Sequence, residues 1–367
     1  MKSCASFLRL PILSLELLAF CGISARASNL DEWHLIEAIM PRHYVCQRAL
    51  GHLTVDGKID EAAWEKAPWT EDFADIEGMT KPKPRFRTRA KMLWDDNYLY
   101  IAAELEEPHV WATLKEHDSV IFMDPDFEVF IDPNGDSHNY YEFEMNALNT
   151  SWDLLLKKPY LNGGPALNSW DIPGLKTGVS VHGTLNDPSD KDEGWTLEIA
   201  FPWKVLEEYA GTPSPPNEGD QWRMGFSRVE WDVRVENGKY VKLPGKKEDN
   251  WVWSPQGVVD MHRPEQWGFV QFTTNTAGPV AFRPDPAFPF KRALQAVYYA
   301  QRDFNAATGR WARDLDELSR KTRFKAGAIK VELKAGPGGY TASTTAPGLD
   351  GKERTWHIRE DALVWGD

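Results

Sequence analysis

The chain has 367 residues, of which 42% are hydrophobic and 26% charged, a composition that indicates a folded globular protein and excludes an intrinsically disordered one. The formal net charge of −13 argues against nucleic acid and anionic membrane surfaces as partners and favours a neutral or cationic ligand. Seventeen tryptophans far exceed ordinary usage, and such residues serve either as β-sheet core or as flat platforms for a ligand.

The first 27 residues have the features of a secretory signal peptide. A basic start is followed by the largely apolar residues 10–23, and Ala25-Arg26-Ala27 forms a small-x-small cleavage site before Ser28. We therefore predict export to the periplasm or to the extracellular space.

The cysteines bear on how an exported chain is held together. Lipid attachment at Cys21 is a less favoured alternative to cleavage, because the bulky Phe20 precedes it. Once the signal is removed only Cys46 remains, so no internal disulfide can form. No other apolar run approaches the roughly 20 residues of a membrane span, and we predict no transmembrane segment.

Hydrophobic periodicity predicts mostly strands. In chain order the predicted elements are a connector with about one helical turn (28–42), an edge strand (44–53), a short helix with Trp64 buried (61–66), a hairpin (86–92 and 98–106), a second hairpin (127–132 and 140–146), strands at 177–185 and 195–201, a short helix (203–209), and strands at 221–232 and 267–273.

The second hairpin is the most informative stretch. Glu128 interrupts an apolar run in its first strand, a Pro-Asn-Gly-Asp turn follows, and the second strand alternates apolar residues with acids. If the turn places residue 132 opposite residue 140, Glu128 lies directly across from Glu144. Like charges opposite each other destabilise a sheet, so we expect the protein to use this pair or to neutralise it with an arginine or a bound cation.

These elements predict a mainly β fold. The economical architecture is a two-sheet antiparallel β-sandwich over residues 44–273. A Pro-rich linker follows at 274–289, and residues 290–367 read as a small α+β unit with two helices and three strands. That unit is a possible site of protein docking or dimerisation, or a cover for an open sheet edge.

Five segments then carry a family resemblance. They are VDGKIDEAAW (55–64), MLWDDNYLYI (92–101), FEVFID (127–132), GWTLEIAFPW (194–203) and RPEQWG (263–268). Together, in this order, they resemble the family 9 carbohydrate-binding modules, especially stand-alone family 9-like exported bacterial proteins, over about residues 44–273. The resemblance implies a DOMON-like β-sandwich, often with structural Ca²⁺; characterised members bind the ends of sugar chains between two tryptophans and are often attached to xylanases.

Transferred residue by residue, the resemblance implies a rebuilt pocket. Glu128 takes the place of the family glutamate that binds sugar hydroxyls. Phe122 falls near the first stacking tryptophan, and Met261 or His262 near the second. Glu144 stands where the family has an arginine.

Acidic, aromatic and basic side chains near the hairpin are the candidate ligand residues. Carboxylates and amides bind sugar hydroxyls, and aromatic faces stack on pyranose rings. The predicted ligand residues are Phe122, Glu128, Glu144, Asn146, Trp170, Arg228, Trp253 and His262. Structural alternatives stay open: a solvated sheet face, which is favoured for Glu142, an aromatic plug at the sandwich end, a packed histidine, or an internal Arg228–Glu230 ion pair in place of Arg228 pairing with Glu128 or Glu144.

A calcium site is predicted in the hairpin turn. The spacing Asp132-x-Asn134-x-Asp136 resembles the start of a calcium loop, and such oxygen ligands suit Ca²⁺. The loop is not an EF-hand, since Phe143 stands where the completing glutamate would be. One cysteine and scattered histidines suggest no zinc site.

The sequence therefore favours a non-catalytic, exported carbohydrate-binding protein of a polysaccharide-degrading system, with a poly- or oligosaccharide such as xylan as partner. One alternative is a glycoside hydrolase that uses the Glu128/Glu144 pair. Another is an accessory interaction protein with a degenerate sugar site. A third is a β-sandwich that binds haem through Met261-His262; a Soret band in the purified protein would reveal it, and we expect none.

Overall fold

The computed structural model describes residues 28–276 and 278–367. The predicted signal peptide, residues 1–27 with Cys21, lies outside the described residues, and export stays a prediction. No helix in the described chain combines the length and the apolar character that a membrane crossing requires.

One hydrogen-bonded sheet of thirteen strands forms most of the molecule. Together with a separate hairpin, β12–β13, its strands are β1 (His43–Arg48), β2 (Ala74–Asp75), β3 (Thr88–Trp94), β4 (Tyr98–Glu106), β5 (Asp126–Asp132), β6 (Tyr140–Asn146), β7 (Ser151–Leu156), β8 (Ala166–Leu167), β9 (Lys176–His182), β10 (Gly194–Pro202), β11 (Gln221–Glu230), β12 (Val233–Glu236), β13 (Lys239–Lys242), β14 (Asp249–Val252) and β15 (Gly268–Thr273). The order across the sheet is β8-β7-β6-β5-β11-β15-β1-β3-β4-β10-β9, with β14 paired to β11 and β2 to β14.

The sheet curls so that its two halves enclose one apolar core. Phe143 of β6 meets Phe201 of β10 across this core, with ring centres 5.5 Å apart. Side chains from β5, β6, β11 and β15 on one side and from β3, β4 and β10 on the other belong to the same buried cluster. The mainly β prediction is confirmed.

Strand β1 joins the two halves of the curled sheet. It pairs in parallel with β15 and, through its last residues, with β3, whereas the other pairings of the sheet are antiparallel. The expectation of an edge strand here is therefore wrong, because β1 has hydrogen-bonded neighbours on both sides. Several other predicted elements match closely: β4 and β6 have the predicted bounds, and Trp64 is buried.

Five helices complete the described chain: α1 (Asn29–Glu37), α2 (Ala62–Lys66), α3 (Trp203–Ala210), α4 (Phe288–Thr308) and α5 (Leu315–Lys321). Short 3-10 turns occur at Ile121–Met123, Tyr160–Asn162 and Pro264–Gln266. Where α1 lies, the sequence predicts a connector with about one helical turn, and the structure has a helix of nine residues. That helix is stabilised by a reciprocal cap between Ser28 and Asp31 and by tertiary packing, which the local pattern does not reveal.

The predicted C-terminal α+β unit is present. Its antiparallel sheet contains β16 (Glu332–Gly336), β17 (Gly339–Pro347), β18 (Glu353–Arg359) and β19 (Val364–Gly366), of which the sequence predicts the first three. Helix α4 packs on this sheet, and α1 from the other end of the chain contributes Leu30, Trp33 and Ile36 to the same core.

The segment predicted as a linker lies against the main sheet. Phe282 stacks on His43 of β1 with ring centres 4.3 Å apart. The backbone N–H of Arg283 donates to the side chain of Gln271 in β15, at 2.8 Å. The middle of this segment is therefore held against β1 and β15 by side-chain contacts.

Candidate functional site

Two strands of the main sheet present acids on the side away from the apolar core. On β5, Phe127 and Val129 point into the core, so Glu128 points to the opposite side. Glu128 pairs directly with Glu144 of β6, which confirms the predicted register. We call the group Asp126, Glu128, Glu142 and Glu144 the acidic face.

The acidic face is not solvated. Asp126, Glu128, Glu142 and Glu144 are 0, 5, 5 and 2% exposed. A second apolar cluster that contains Phe130 and Trp267 adjoins it on the same side of the sheet. The expectation that Glu142 belongs to a solvated sheet face is therefore wrong, because loops and aromatic side chains cover this side of β5 and β6.

The negative charge of this face has little compensation. Among the described residues, the only basic nitrogen within 4.0 Å of these carboxylates is His262 Nε2, 3.9 Å from Glu142 Oε1. Burial raises the pKa of Glu128 to about 7. Burial, together with the charge of Glu128, raises the pKa values of the other three carboxyls well above their usual range.

Hydrogen bonds satisfy the acidic face only in part. Glu144 Oε2 accepts from the backbone N–H of Phe122 at 3.0 Å, and Asp126 Oδ1 accepts from that of Val229 at 3.0 Å. Asp126 Oδ2 and Glu142 Oε2 are buried without a partner. The hydroxyl of Ser227, which pairs with Glu128 across β11, lacks a hydrogen bond of normal geometry.

Within residues 28–276 and 278–367, two groups of side chains could hold a metal ion. In the first, one carboxylate oxygen each from Asp126, Glu128 and Glu144 lie within 4.8 Å of one another. The second contains His117, whose Nε2 lies 3.4 to 3.5 Å from carboxylate oxygens of Asp118, Asp153 and Asp171. Sequence reasoning missed this second group, because its members are spread over three separate segments without ligand spacing.

His262 and Tyr160 form a corner beside the acidic face. The hydroxyl of Tyr140 lies 3.0 Å from His262 Nδ1, and the ring of Tyr160 meets the His262 ring edge-on at 4.4 Å. Burial lowers the pKa of His262 to about 4, so its imidazole is neutral at pH 7. Tyr160 is 50% exposed, and sequence reasoning missed it. Its place in a Pro-Tyr-Leu-Asn-Gly loop after β7 was the available signal.

Arg228 lies on the other side of the sheet from Glu128. Alternation along β11 puts it on the core side with Phe226, where its Nη2 donates to Glu107 at 2.6 Å and to Glu230 at 2.7 Å. The predicted internal ion pair with Glu230 is confirmed. Pairing of Arg228 with Glu128 or Glu144 is wrong for the same geometric reason.

Two residues predicted to stack on the ligand pack against the apolar core instead. Trp253 is 1% exposed and packs on Phe226, with ring centres 5.4 Å apart. Trp170 packs on Tyr141, a core residue, at 5.0 Å. Neither ring faces the acidic side of β5 and β6. In the segment Trp251–Trp253, the side chain of Val252 is the one that points to that side.

The side-chain amide of Asn146 is occupied by hydrogen bonds to nearby structural groups. Its amide N–H donates to Asp124 and to the carbonyl of Leu114, and its oxygen accepts from the backbone of Leu148 and Thr150. Of the predicted ligand residues, the structure thus gathers Phe122, Glu128, Glu144 and His262 around the acidic face, and places Asn146, Trp170, Arg228 and Trp253 in structural roles.

The hairpin turn predicted to bind calcium is stabilised by hydrogen bonds within the turn itself. Asp132 accepts from the backbone N–H of Gly135 and of Ser137, both at 2.9 Å. Asn134 donates to Asp136 at 2.9 Å. These bonds account for the acids as turn formers, and calcium binding here stays a prediction.

Comparison with known proteins places these features in a family. Residues 55–271 match the family described as "Carbohydrate family 9 binding domain-like". An exoglucanase, XynX, of Acetivibrio thermocellus is 27% identical over 165 residues, which is 44% of this chain and 12% of that protein. Endo-1,4-beta-xylanase C of Paenibacillus barcinonensis is 37% identical over 106 residues, 28% of this chain and 9% of that protein. The chain thus spans about a tenth of these relatives.

A solved structure is similar in outline. A family 9 carbohydrate-binding module from Caldicellulosiruptor kristjanssonii, in complex with cellotriose, is 15% identical, with a TM-score of 0.43. The match covers 66% of this chain and all of that one. The family match extends over more than half of the residues of this chain. This chain therefore belongs to the carbohydrate family 9 binding domain-like family.

Proposed function

We propose that this protein is an exported, non-catalytic carbohydrate-binding protein that captures a poly- or oligosaccharide at the acidic face for a polysaccharide-degrading system. The observation that carries the proposal is the Glu128/Glu144 pair, placed beside the backbone of Phe122 and the aromatic side chain of Tyr160. Carboxylate oxygens accept hydrogen bonds from adjacent sugar hydroxyls, while an aromatic ring covers the apolar face of a pyranose. Membership of the family supports the same ligand class.

The C-terminal unit supports the loops beside this site. In α4, the Tyr298 hydroxyl donates to the side chain of Asn162 at 2.7 Å, and Arg302 donates to the carbonyl of Leu161 at 3.2 Å, so both hold the turn that carries Tyr160. The Arg263 guanidinium, next to His262, donates to the Tyr299 hydroxyl at 2.8 Å. We infer that this unit positions ligand loops; protein docking through residues 290–367 stays a prediction.

The hydrolase alternative is less well supported by the electrostatics. A glycosidase needs one carboxyl kept protonated and a second kept ionised, so their environments must push the two pKa values apart. Here burial raises the pKa of Glu128 and of Glu144 alike. Among the described residues, no Lys or Arg nitrogen lies within 4.0 Å of either carboxyl to keep one of them ionised as the nucleophile.

Calorimetric titration with xylo- and cello-oligosaccharides, after a glycan array has identified the class that binds, tests the proposal. We expect binding by the purified protein, at least a tenfold loss in Glu128→Gln, and none in the control Glu65→Gln, whose side chain is exposed on α2. Release of reducing ends would instead establish the hydrolase. A folded protein that binds no glycan, or an unaffected Glu128→Gln variant, would refute sugar capture at this face.

A further inference from the structure

The acidic face concentrates charge that the described protein does not neutralise. Asp126, Glu128 and Glu144 are each at least 95% buried, and no Lys or Arg nitrogen among the described residues comes within 4.0 Å of them. The nearby ammonium of Lys242 lies instead 3.3 Å from the centre of the Trp231 ring. Buried carboxylates without a partner are costly, so such groups normally pair with a cation or coordinate a metal.

An independent feature points to a ligand at the same place. Ser227 is fully buried, and because directly paired residues of antiparallel strands point to the same side, its hydroxyl faces the side of Glu128. That hydroxyl interacts with the Glu128 carboxylate, whereas Asp126 Oδ2 is buried without a hydrogen-bond partner. A buried polar atom left without a partner costs about 1–3 kcal/mol. A buried carboxylate oxygen of Asp126 without a partner, next to the neutral Ser227 oxygen and the Glu128 carboxylate, suits a bound cation.

We propose that Asp126, Glu128 and Glu144 bind one hard divalent cation, with Ser227 Oγ as a fourth oxygen from the protein. The three carboxylate oxygens lie within 4.8 Å of one another. Ca²⁺ binds oxygens at about 2.3–2.6 Å, so ligands on opposite sides of the ion are about 5 Å apart, and this group fits around it. An all-oxygen donor set without cysteine or histidine favours Ca²⁺ or Mg²⁺ over zinc.

This site goes beyond the proposed sugar binding and does not depend on it. Ca²⁺ takes six to eight oxygens, and the protein supplies one from each of four side chains, so further carboxylate oxygens, water or ligand hydroxyls complete its shell. The His117 group is the natural comparison, because its three aspartates already surround a basic side chain.

The test is calorimetric titration of the EDTA-treated purified protein with Ca²⁺ and with Mg²⁺, in the absence of sugar, combined with thermal unfolding. We expect one site and a melting temperature that rises with the ion. Asp126→Asn and Glu144→Gln should each weaken binding at least tenfold. The control Asp171→Asn, in the His117 group, should leave the affinity unchanged.

Two results would overturn the proposal. One is wild-type protein that shows neither heat of binding nor a shift in melting temperature. The other is loss of binding in Asp171→Asn while Glu144→Gln binds normally, which would place the ion at the His117 group. Glu144→Gln keeps an acceptor for the Phe122 N–H, and near-ultraviolet circular dichroism checks its fold, so it decides the test if Asp126→Asn does not fold. Because no sugar is present, failure here leaves the sugar proposal standing, and the reverse also holds.

Discussion

Two groups of buried carboxylates lie on opposite sides of the same sheet, and only one of them has its own cation. On the core side, Arg228 donates to both Glu107 and Glu230. Burial and the charge of Glu230 raise the pKa of Glu107 to about 9, so a proton and the Arg228 guanidinium, with that of Arg85 3.9 Å from Glu230 Oε1, balance the two acids. On the other side, the acidic face has no Arg or Lys within ion-pair distance among the described residues.

The difference separates a structural group from a candidate site. Where the fold supplies the compensating charge, the acids are explained by stability alone, and no ligand is needed. Where it does not, the acids must be protonated or bound to something outside the chain. The predictions below test whether this distinction holds, beginning with the change of largest expected effect.

Arg228→Met should be the most damaging substitution. It removes the cation beside Glu107 and Glu230 and leaves two carboxylates buried, which typically costs about 3–5 kcal/mol of unfolding free energy. Urea denaturation measures the loss. The control Arg87→Met breaks a partly exposed pair with Glu104 and should cost less than about 1 kcal/mol. Equal losses in the two variants would show that the core-side group is not a compensated unit.

Acidification should destabilise the protein through His262. Its folded pKa is about 4, below the ordinary value of 6.5, so the unfolded chain binds more protons between these values, and stability falls as the pH falls from 6.5 toward 4. The contribution of this group is at most about 3 kcal/mol. On going from pH 7 to pH 4.5, denaturation should show that the wild type loses stability relative to His262→Gln, because the raised carboxyl pKa values of the acidic face, which act in the opposite direction, are common to both proteins.

The groups that face His262 sharpen this test. Tyr140, Glu142 and Tyr160 surround its ring, and the charge of Asp260 opposes the effect of burial. If His262 were a cation that compensates Glu142, the sign would reverse, and the wild type would lose stability relative to the variant as the pH rises. That outcome would remove the contrast between the two sides of the sheet.

Glu144→Gln should stabilise the metal-free protein. The substitution removes one of the mutually repelling charges and keeps an oxygen for the Phe122 N–H, so we expect a gain of about 1–2 kcal/mol in EDTA at pH 7.5. In saturating Ca²⁺ the order should reverse, since the wild type alone keeps all three carboxylate ligands. A Glu144→Gln variant that is less stable than the wild type in EDTA would contradict the view that this charge is uncompensated.

Tyr160→Ala should have the smallest effect on stability, below about 1 kcal/mol, because half of the side chain is exposed. It should nevertheless weaken sugar binding at least fivefold in calorimetric titration if the ring stacks on the ligand. The matched variant Trp170→Ala removes a core aromatic and should show the opposite pattern, with lower stability and unchanged affinity. Loss of affinity in Trp170→Ala alone would return the stacking role to one of the residues that the sequence predicts as ligands.

The sequence by itself determined most of the strands and the central pair of the site. Alternation of apolar and polar residues specifies which side chains share a face of a strand, whereas the register between β5 and β6 was an assumption about the turn. The bounds of β4 and β6 therefore follow from local pattern, and the structure confirms the register assumed for Glu128 and Glu144. The same alternation predicts that Arg228 and Glu230 lie on one side of β11.

Only the tertiary structure decided what each face meets. Local periodicity does not show that β1 is central and parallel, that α1 completes the C-terminal core, or that the Trp253 ring points inward. It also cannot bring His117 to three distant aspartates, or Tyr160 to His262. These contacts join segments far apart in the chain, and their energies come from burial and packing that no short stretch of sequence contains.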